Sequence, residues 1–297
     1  MRHGTYSIVA LDPSTGELGA AVQSHWFSVG SLCTWARPGV GAVATQSVVE
    51  PAYGPELLAR LADGAEPEAA LEEALGRDAL RAVRQVAVVD GRGRVAVRTG
   101  DDCIAHAGHV TGEHFSCQAN MMARDTVPPA MAAAYEAAEG DLATRLLAAL
   151  HGAEGQGGDV RGRQSAAVLV VPAEGPEWQW RVDLRVEDHP DPLAEMGRLL
   201  KLHRAYGLAD EADELVGAGR LDEAGPLYRQ AAELVPESHE LLFWSGLAVA
   251  QAGDVEGGAA IVGRAAEVHP GWRVLLARLS PEFAPAGADV RRALDWD

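Results

Sequence analysis

The sequence predicts an α+β domain followed by a smaller, all-helical one, and three observations carry that expectation. Residues 1–190 run as short β-branched segments divided by turns, with amphipathic stretches grouped in two places, in the order strands, helices, strands, helices, strands. Consecutive strands need only tight antiparallel connections, so a layered α+β arrangement suits this order better than alternating βαβ units. The segment His189-Pro190-Asp191-Pro192 then interrupts the last strand, because proline lacks a donor and constrains the residue before it. Beyond it, residues 191–297 are helical in pattern and repeat themselves, 221–236 matching 255–270 at an offset of 34 residues.

Each element follows from local chemistry. Thr5–Leu11 is a β-branched and aromatic run closed by Asp12-Pro13-Ser14-Thr15-Gly16, and Leu18–Ser24 returns, which predicts a hairpin with a long loop. Further strands are expected at 27–30, 40–47, 85–89, 95–99, 104–107 and 114–118, with Asp90-Gly91-Arg92-Gly93 as a tight hairpin turn. Helices are expected at 55–61 and at 67–80, the second opened by Glu66-Pro67 and placing Leu71, Leu75 and Ala79 on one side. A second helical pair covers 129–138 and 141–152, where Asp141 can cap and Leu142, Leu146, Leu147 and Leu150 form a buried stripe. Strands at 164–171 and 179–186 close the domain. In the tail, helices are expected at 193–206, 209–217 and 238–252, and the 34-residue period resembles tetratricopeptide repeats, whose helix pairs stack through small residues.

Composition removes several function classes. With 43 acidic against 25 basic residues, a formal charge of −18, the chain repels phosphate and nucleic acid is not an expected partner. Lys201 is the single lysine, so the first domain lacks what a pyridoxal Schiff base, a serine-lysine dyad or a Walker-type loop requires. No run of 18 apolar residues is present, and Asp12-Pro13 cuts short the opening apolar run. A cytoplasmic protein that engages no membrane is therefore expected. Cys33, Cys103 and Cys117 are widely spaced and odd in number, which suggests neither a disulfide framework nor a zinc site. His106, His109 and His114 lack a thiolate pair or an HExxH helix, so no metal and no cofactor is expected. Asp188, His189 and Ser165 or Ser24 lack a G-x-S-x-G elbow.

The candidate chemistry centres on Gly4-Thr5 at the start of the first strand. Hydrolysis of that amide would expose a nucleophilic hydroxyl and an α-amine together, and an amine of pKa near 8 can serve as base for its own hydroxyl. Gln23, Ser24, Gln46 and Ser47 end two expected core strands with groups able to donate to an oxyanion or to cap the strand ends. Asn120, with Glu113 and Gln118 near it, is a further oxyanion candidate. The loop from Gly157 to Ser165 is glycine-rich, and its Asp159, Arg161, Arg163 and Gln164 can brace the fold or shape a carboxylate or amide pocket.

The strings TYSIVALDP (5–13), GELGAAVQS (16–24), PGVGAVATQ (38–46) and DVRGRQSAA (159–167) resemble the signatures of the domain of unknown function family DUF1028 over about residues 5–190. That family is similar to N-terminal nucleophile (Ntn) hydrolases. The resemblance implies a four-layer αββα sandwich, a first-strand nucleophile at Thr5 and hydrolysis of a small amide or peptide-like bond. Threonine sites of the proteasome type place a lysine beside the nucleophile. With none in this domain, Arg37 is the candidate for that positive charge, as an orienting group or a substrate-carboxylate ligand. Arg2, His3 and Gly4 stand between Met1 and Thr5, which leaves three readings open: cleavage of Gly4-Thr5, a later true start, or no such mechanism. Thr5, Arg37, Asn120 and Asp159 are thus the expected catalytic set, with Gln23, Ser24, Gln46, Arg161, Arg163 and Gln164 binding substrate. The alternative is a non-catalytic ligand-binding or assembly scaffold, its helical tail docking a protein partner. A homodimer is a generic expectation for such folds.

Overall fold

A computed structural model describes residues 4–296; Met1, Arg2 and His3, which the cleavage reading would remove with Gly4, lie outside the described residues. The chain divides into two compact units, Met1–Gly197 and Arg198–Asp297. The first is a mixed α/β region with two antiparallel sheets, and the second is all-helical.

In the first unit the chain runs β1 (Thr5–Leu11), β2 (Leu18–Ser24), α1 (Gly30–Cys33), β3 (Thr34–Arg37), β4 (Gly41–Ser47), α2 (Tyr53–Ala62), α3 (Pro67–Gly76), β5 (Arg84–Asp90) and β6 (Val95–Thr99). It continues through β7 (Gly108–Gly112), β8 (Phe115–Asn120), α4 (Val127–Ala137), α5 (Leu142–Gly155), β9 (Ser165–Val171) and β10 (Val182–Val186). One sheet has the order β10-β9-β2-β1-β8-β7 and the other β3-β4-β5-β6. α4 and α5 cover the first sheet, α2 and α3 cover the second, and β1 and β2 face β4 across the space between the sheets. β1 and β2 pair as the hairpin expected, from Leu11 opposite Leu18 to Thr5 opposite Ser24. Asp141 caps α5, its carboxylate accepting from the Thr144 amide at 2.9 Å.

Two expected strands are not strands. Residues 27–30 turn instead, with Ser28 left-handed at φ 55° and the Val29 amide donating to Ser165 Oγ; a side chain at the head of β9 captures the backbone that a ladder would need. Residues 104–107 are loop, whose Ile104 and His106 carbonyls accept from the amides of Met121 and Met122. The strand lies after them, at β7.

α6 (Pro192–Gly217) is one helix where two were expected. Gly207 sits in its interior, and the cost of about 1 kcal/mol for a mid-helix glycine does not break it. The second unit then adds α7 (Leu221–Leu234), α8 (His239–Gln251), α9 (Val255–Val268), α10 (Gly271–Arg278) and α11 (Gly287–Ala293) around a core that includes Ala231, Phe243, Val262 and Leu276. α8 and α9 meet backbone to backbone at Gly246 and Gly258, where a Cβ on either would stand 2.8 or 2.4 Å from the other's carbonyl oxygen. Only residues without a side chain fit this close approach.

Candidate functional site

The space between the two sheets changes character along the strands. Alternation sends Thr5, Ser7, Val9 and Leu11 of β1 toward the second sheet, and Tyr6 toward the helices, where its hydroxyl donates to Glu154 Oε1 at 2.5 Å. Burial first, and then the Glu154 carboxylate, push the Tyr6 hydroxyl well above its ordinary pKa, so it stays a donor. One end of the inter-sheet space is apolar, built by Val9, Leu11, Leu18, Ala20, Ala42 and Val89. The other end is lined by Thr5, Ser7, Ser24, Gln46, Gln85, Gln118 and Asn120, every one of them buried.

These buried polar groups bond mostly to one another; Asn120 Oδ1 is buried without a hydrogen-bond partner among the described residues. Ser7 Oγ donates to Gln46 Oε1 at 2.6 Å and accepts from Gln118 Nε2 at 2.6 Å. Gln85 Oε1 accepts from both Gln46 Nε2 (2.7 Å) and Asn120 Nδ2 (3.0 Å), while Gln85 Nε2 donates to the Ala119 carbonyl at 2.9 Å. Burying an amide without partners costs a few kcal/mol, so this mesh holds its members in fixed orientations. Its link to the strand start is the Thr5 carbonyl oxygen, which accepts from Gln46 Nε2 at 3.2 Å and Asn120 Nδ2 at 3.4 Å.

A second set of contacts surrounds the Gly4-Thr5 bond. Thr5 Oγ1 donates to Ser24 Oγ at 3.1 Å, and Ser24 Oγ donates to the Gly4 carbonyl oxygen at 2.5 Å. The same oxygen accepts from Arg161 Nη2 at 2.8 Å. Arg161 is fixed in turn by Asp159, whose fully buried carboxylate accepts from the Arg161 amide (2.9 Å), Nε (3.1 Å) and Nη2 (2.7 Å), and from the His25 amide (3.2 Å). Four donors, two of them on the Arg161 guanidinium, compensate the desolvation of that carboxylate. The loop reaches this position through an isolated bridge between Asp159 and Met122.

The structure brings together Thr5, Ser24, Gln46, Asn120, Asp159 and Arg161. It does not bring Arg37 to Thr5: Arg37 pairs with Gly41 at the opposite end of β4 from Gln46, and its guanidinium binds Glu177 at 2.6 Å. Gln23 lies opposite Tyr6 in the register, on the face turned away from Thr5, with both amide atoms buried and without a hydrogen-bond partner among the described residues. Arg163 binds Asp191 at 3.2 Å and reaches Glu154, and Gln164 Nε2 donates to Asp188 at 3.1 Å, so both brace the loop from its exposed side. Asn120 and Gln46 donate to the Thr5 carbonyl; the Gly4 carbonyl has Ser24 and Arg161 instead. Sequence reasoning missed Ser7 and Gln85. The available signal was the polar residue at the same end of successive core strands, Ser7, Gln46 and Gln85 each two positions from an apolar one. Among the described residues no group of three or more His, Cys, Asp or Glu side chains could hold a metal; His109 meets Thr99 Oγ1 and His114 the Gly93 carbonyl. Cys33 is buried, which raises its thiol to about 12, so it is an inert core residue.

Residues 5–196 match the profile described as "Family of unknown function (DUF1028)". The crystal structure of protein SPO2555 from Silicibacter pomeroyi, itself described as DUF1028, is similar at 34% identity and a TM-score of 0.61, over 67% of this chain and 88% of that one. Anbu (ancestral beta-subunit) from Yersinia bercovieri aligns over 66% of this chain and 94% of its own at 13% identity and a TM-score of 0.34, too distant to carry an argument. No curated protein matches the chain. No helix among the described residues is long and apolar enough to cross a membrane.

Proposed function

The chain belongs to the DUF1028 family, and we propose that it is an amidohydrolase of the N-terminal nucleophile type in which Thr5 is the nucleophile. The observation that carries this reading is the Gly4 carbonyl oxygen, held by Ser24 Oγ and the Arg161 guanidinium while Thr5 Oγ1 donates to that same Ser24. This is the donor arrangement that stabilises negative charge developing on a carbonyl under attack.

The geometry supports a balanced sequence of steps. Thr5 Oγ attacks the Gly4 carbonyl carbon; its proton passes to Ser24 Oγ as the Ser24 proton moves to the carbonyl oxygen, with Arg161 stabilising that oxygen throughout. The carbon-nitrogen bond then breaks as the proton on the former carbonyl oxygen leaves through Ser24 Oγ and the nitrogen takes up that proton, leaving a glycyl ester on Thr5 Oγ and a free Thr5 amine. Water hydrolyses the ester, releasing the Gly4 carboxylate and restoring the hydroxyl. In later turnovers the amine accepts the Thr5 hydroxyl proton and returns it to the leaving group. Asp159 keeps Arg161 in place, and the amide mesh of Gln46, Gln85 and Asn120 holds the Thr5 backbone still, which is what a near-attack geometry needs.

Intact mass of the purified protein tests the reading. Wild type is expected to lose everything up to Gly4 on incubation, and Thr5→Ala to retain it indefinitely; a wild type that stays uncleaved and hydrolyses no amide overturns the proposal.

A second reading, a scaffold that docks a protein partner, is favoured by one observation in the helical unit. A cleft of about 570 Å³ there has an apolar wall of Leu221, Trp244 and Leu247 and carries Asp213, Asp222 and Glu282 with no basic side chain in its lining. Its chemistry suits a basic segment with apolar anchors. On this reading Leu247→Arg abolishes binding of such a peptide while Thr5→Ala leaves it unchanged.

A further inference from the structure

Gly4 is confined as well as polarised. An ideal Cβ built on it would stand 2.7 Å from Asp159 Oδ2 and 2.8 Å from both Cγ and Oδ1. Such separations are below any ordinary carbon contact, so a side chain at this position must displace the carboxylate. The carboxylate cannot swing aside cheaply. It is buried and held by four hydrogen bonds from His25 and Arg161, and moving it would pull away the guanidinium that binds the Gly4 carbonyl. The same side chain therefore positions a carbonyl donor and fills the space next to the acyl α-carbon.

We propose that the site selects glycine on the acyl side of the bond it cleaves, and that Asp159 imposes the selection by occupying the space an acyl-side Cβ would need. The substrates this admits are glycyl amides and peptides cleaved after glycine, and Gly4-Thr5 is the first of them. The proposal rests on the reading of Thr5 as nucleophile. It adds a discrimination ratio that the nucleophile alone does not predict.

The test has a cis and a trans arm. In the cis arm, Gly4→Ala is followed by intact mass beside wild type, and its rate of cleavage is expected to fall by about 100-fold or more, the upper range for excluding one small group from a tight pocket. In the trans arm, wild-type protein already starting at Thr5 is given acetyl-glycine p-nitroanilide and acetyl-L-alanine p-nitroanilide, with kcat/KM expected to favour glycine by a similar factor. Asp159→Ser, which shortens the side chain and keeps an acceptor for the two amides, is expected to bring the glycine-to-alanine ratio close to one whatever happens to the absolute rate; Asp159→Ala serves as the second variant. Cleavage of glycyl and alanyl bonds at similar rates by wild type overturns the selectivity and leaves the nucleophile reading standing. A ratio unchanged in both Asp159 variants overturns the assignment to Asp159. Absence of cleavage in both arms overturns the reading beneath them.

Discussion

The two ends of the inter-sheet space are built from the same strands and obey opposite rules. Toward Leu11, Leu18 and Val89 the sheets are joined by apolar side chains, a non-directional contact that tolerates small shifts. Toward Thr5, on β1, β4, β5 and β8, the positions facing the other sheet carry Ser7, Gln46, Gln85 and Gln118, whose directional hydrogen bonds fix each neighbour's orientation. Polar burial of this kind adds little net stability. What it does supply is a rigid frame around one peptide bond.

Substitutions can break or sharpen that contrast. The largest effect on stability is expected at the apolar end, where Leu18→Ala removes a fully buried side chain and should cost about 2–5 kcal/mol in a denaturant melt while leaving the rate of Gly4-Thr5 cleavage within about twofold of wild type at a temperature where both stay folded. A large loss of cleavage in folded Leu18→Ala would show that the two ends are not separate in function. Ser24→Ala at the polar end should do the reverse, slowing cleavage by about 10²–10³-fold, the usual consequence of deleting one oxyanion donor, with a small change in melting temperature. Gln85→Leu is expected to act on both measurements, costing less stability than Leu18→Ala and less rate than Ser24→Ala. It removes the acceptor that Gln46 Nε2 and Asn120 Nδ2 share, costs about 1–3 kcal/mol, and slows cleavage because the two amides that donate to the Thr5 carbonyl are then less firmly oriented. A Gln85→Leu protein as stable as wild type would mean that the mesh is not what orders this end.

Much of the fold was legible because it rests on local signals. The β1-β2 hairpin, the Asp141 cap, the turn before β6 and the repeat-bearing helices each follow from short-range chemistry in the chain, and each stands where that chemistry put it. The departures arise where a contact distant in sequence overrides a local signal. Residues 27–30 carry strand-forming types, yet a hydrogen bond from Val29 to Ser165, distant in sequence, holds them in a turn. The cluster around Gly4-Thr5 was legible in part. Thr5, Ser24, Asp159 and Arg161 were named from residue type and position, but Arg37 was matched to Thr5 only by its charge, and strand register carries it to the far end of its sheet.

The sequence by itself determined the division into a strand-rich and a helical region and the families of chemistry that a domain without lysine cannot perform, and it offered the Gly4-Thr5 bond as a candidate. Those properties depend on composition, periodicity and adjacent residues. The tertiary structure decided which side chains surround that bond. Ser24 arrives from the neighbouring strand, Asp159 and Arg161 from a loop more than 150 residues away, and Gln46 and Gln85 from the opposite sheet. Their meeting depends on register and sheet packing, which set distances between residues that no local pattern relates.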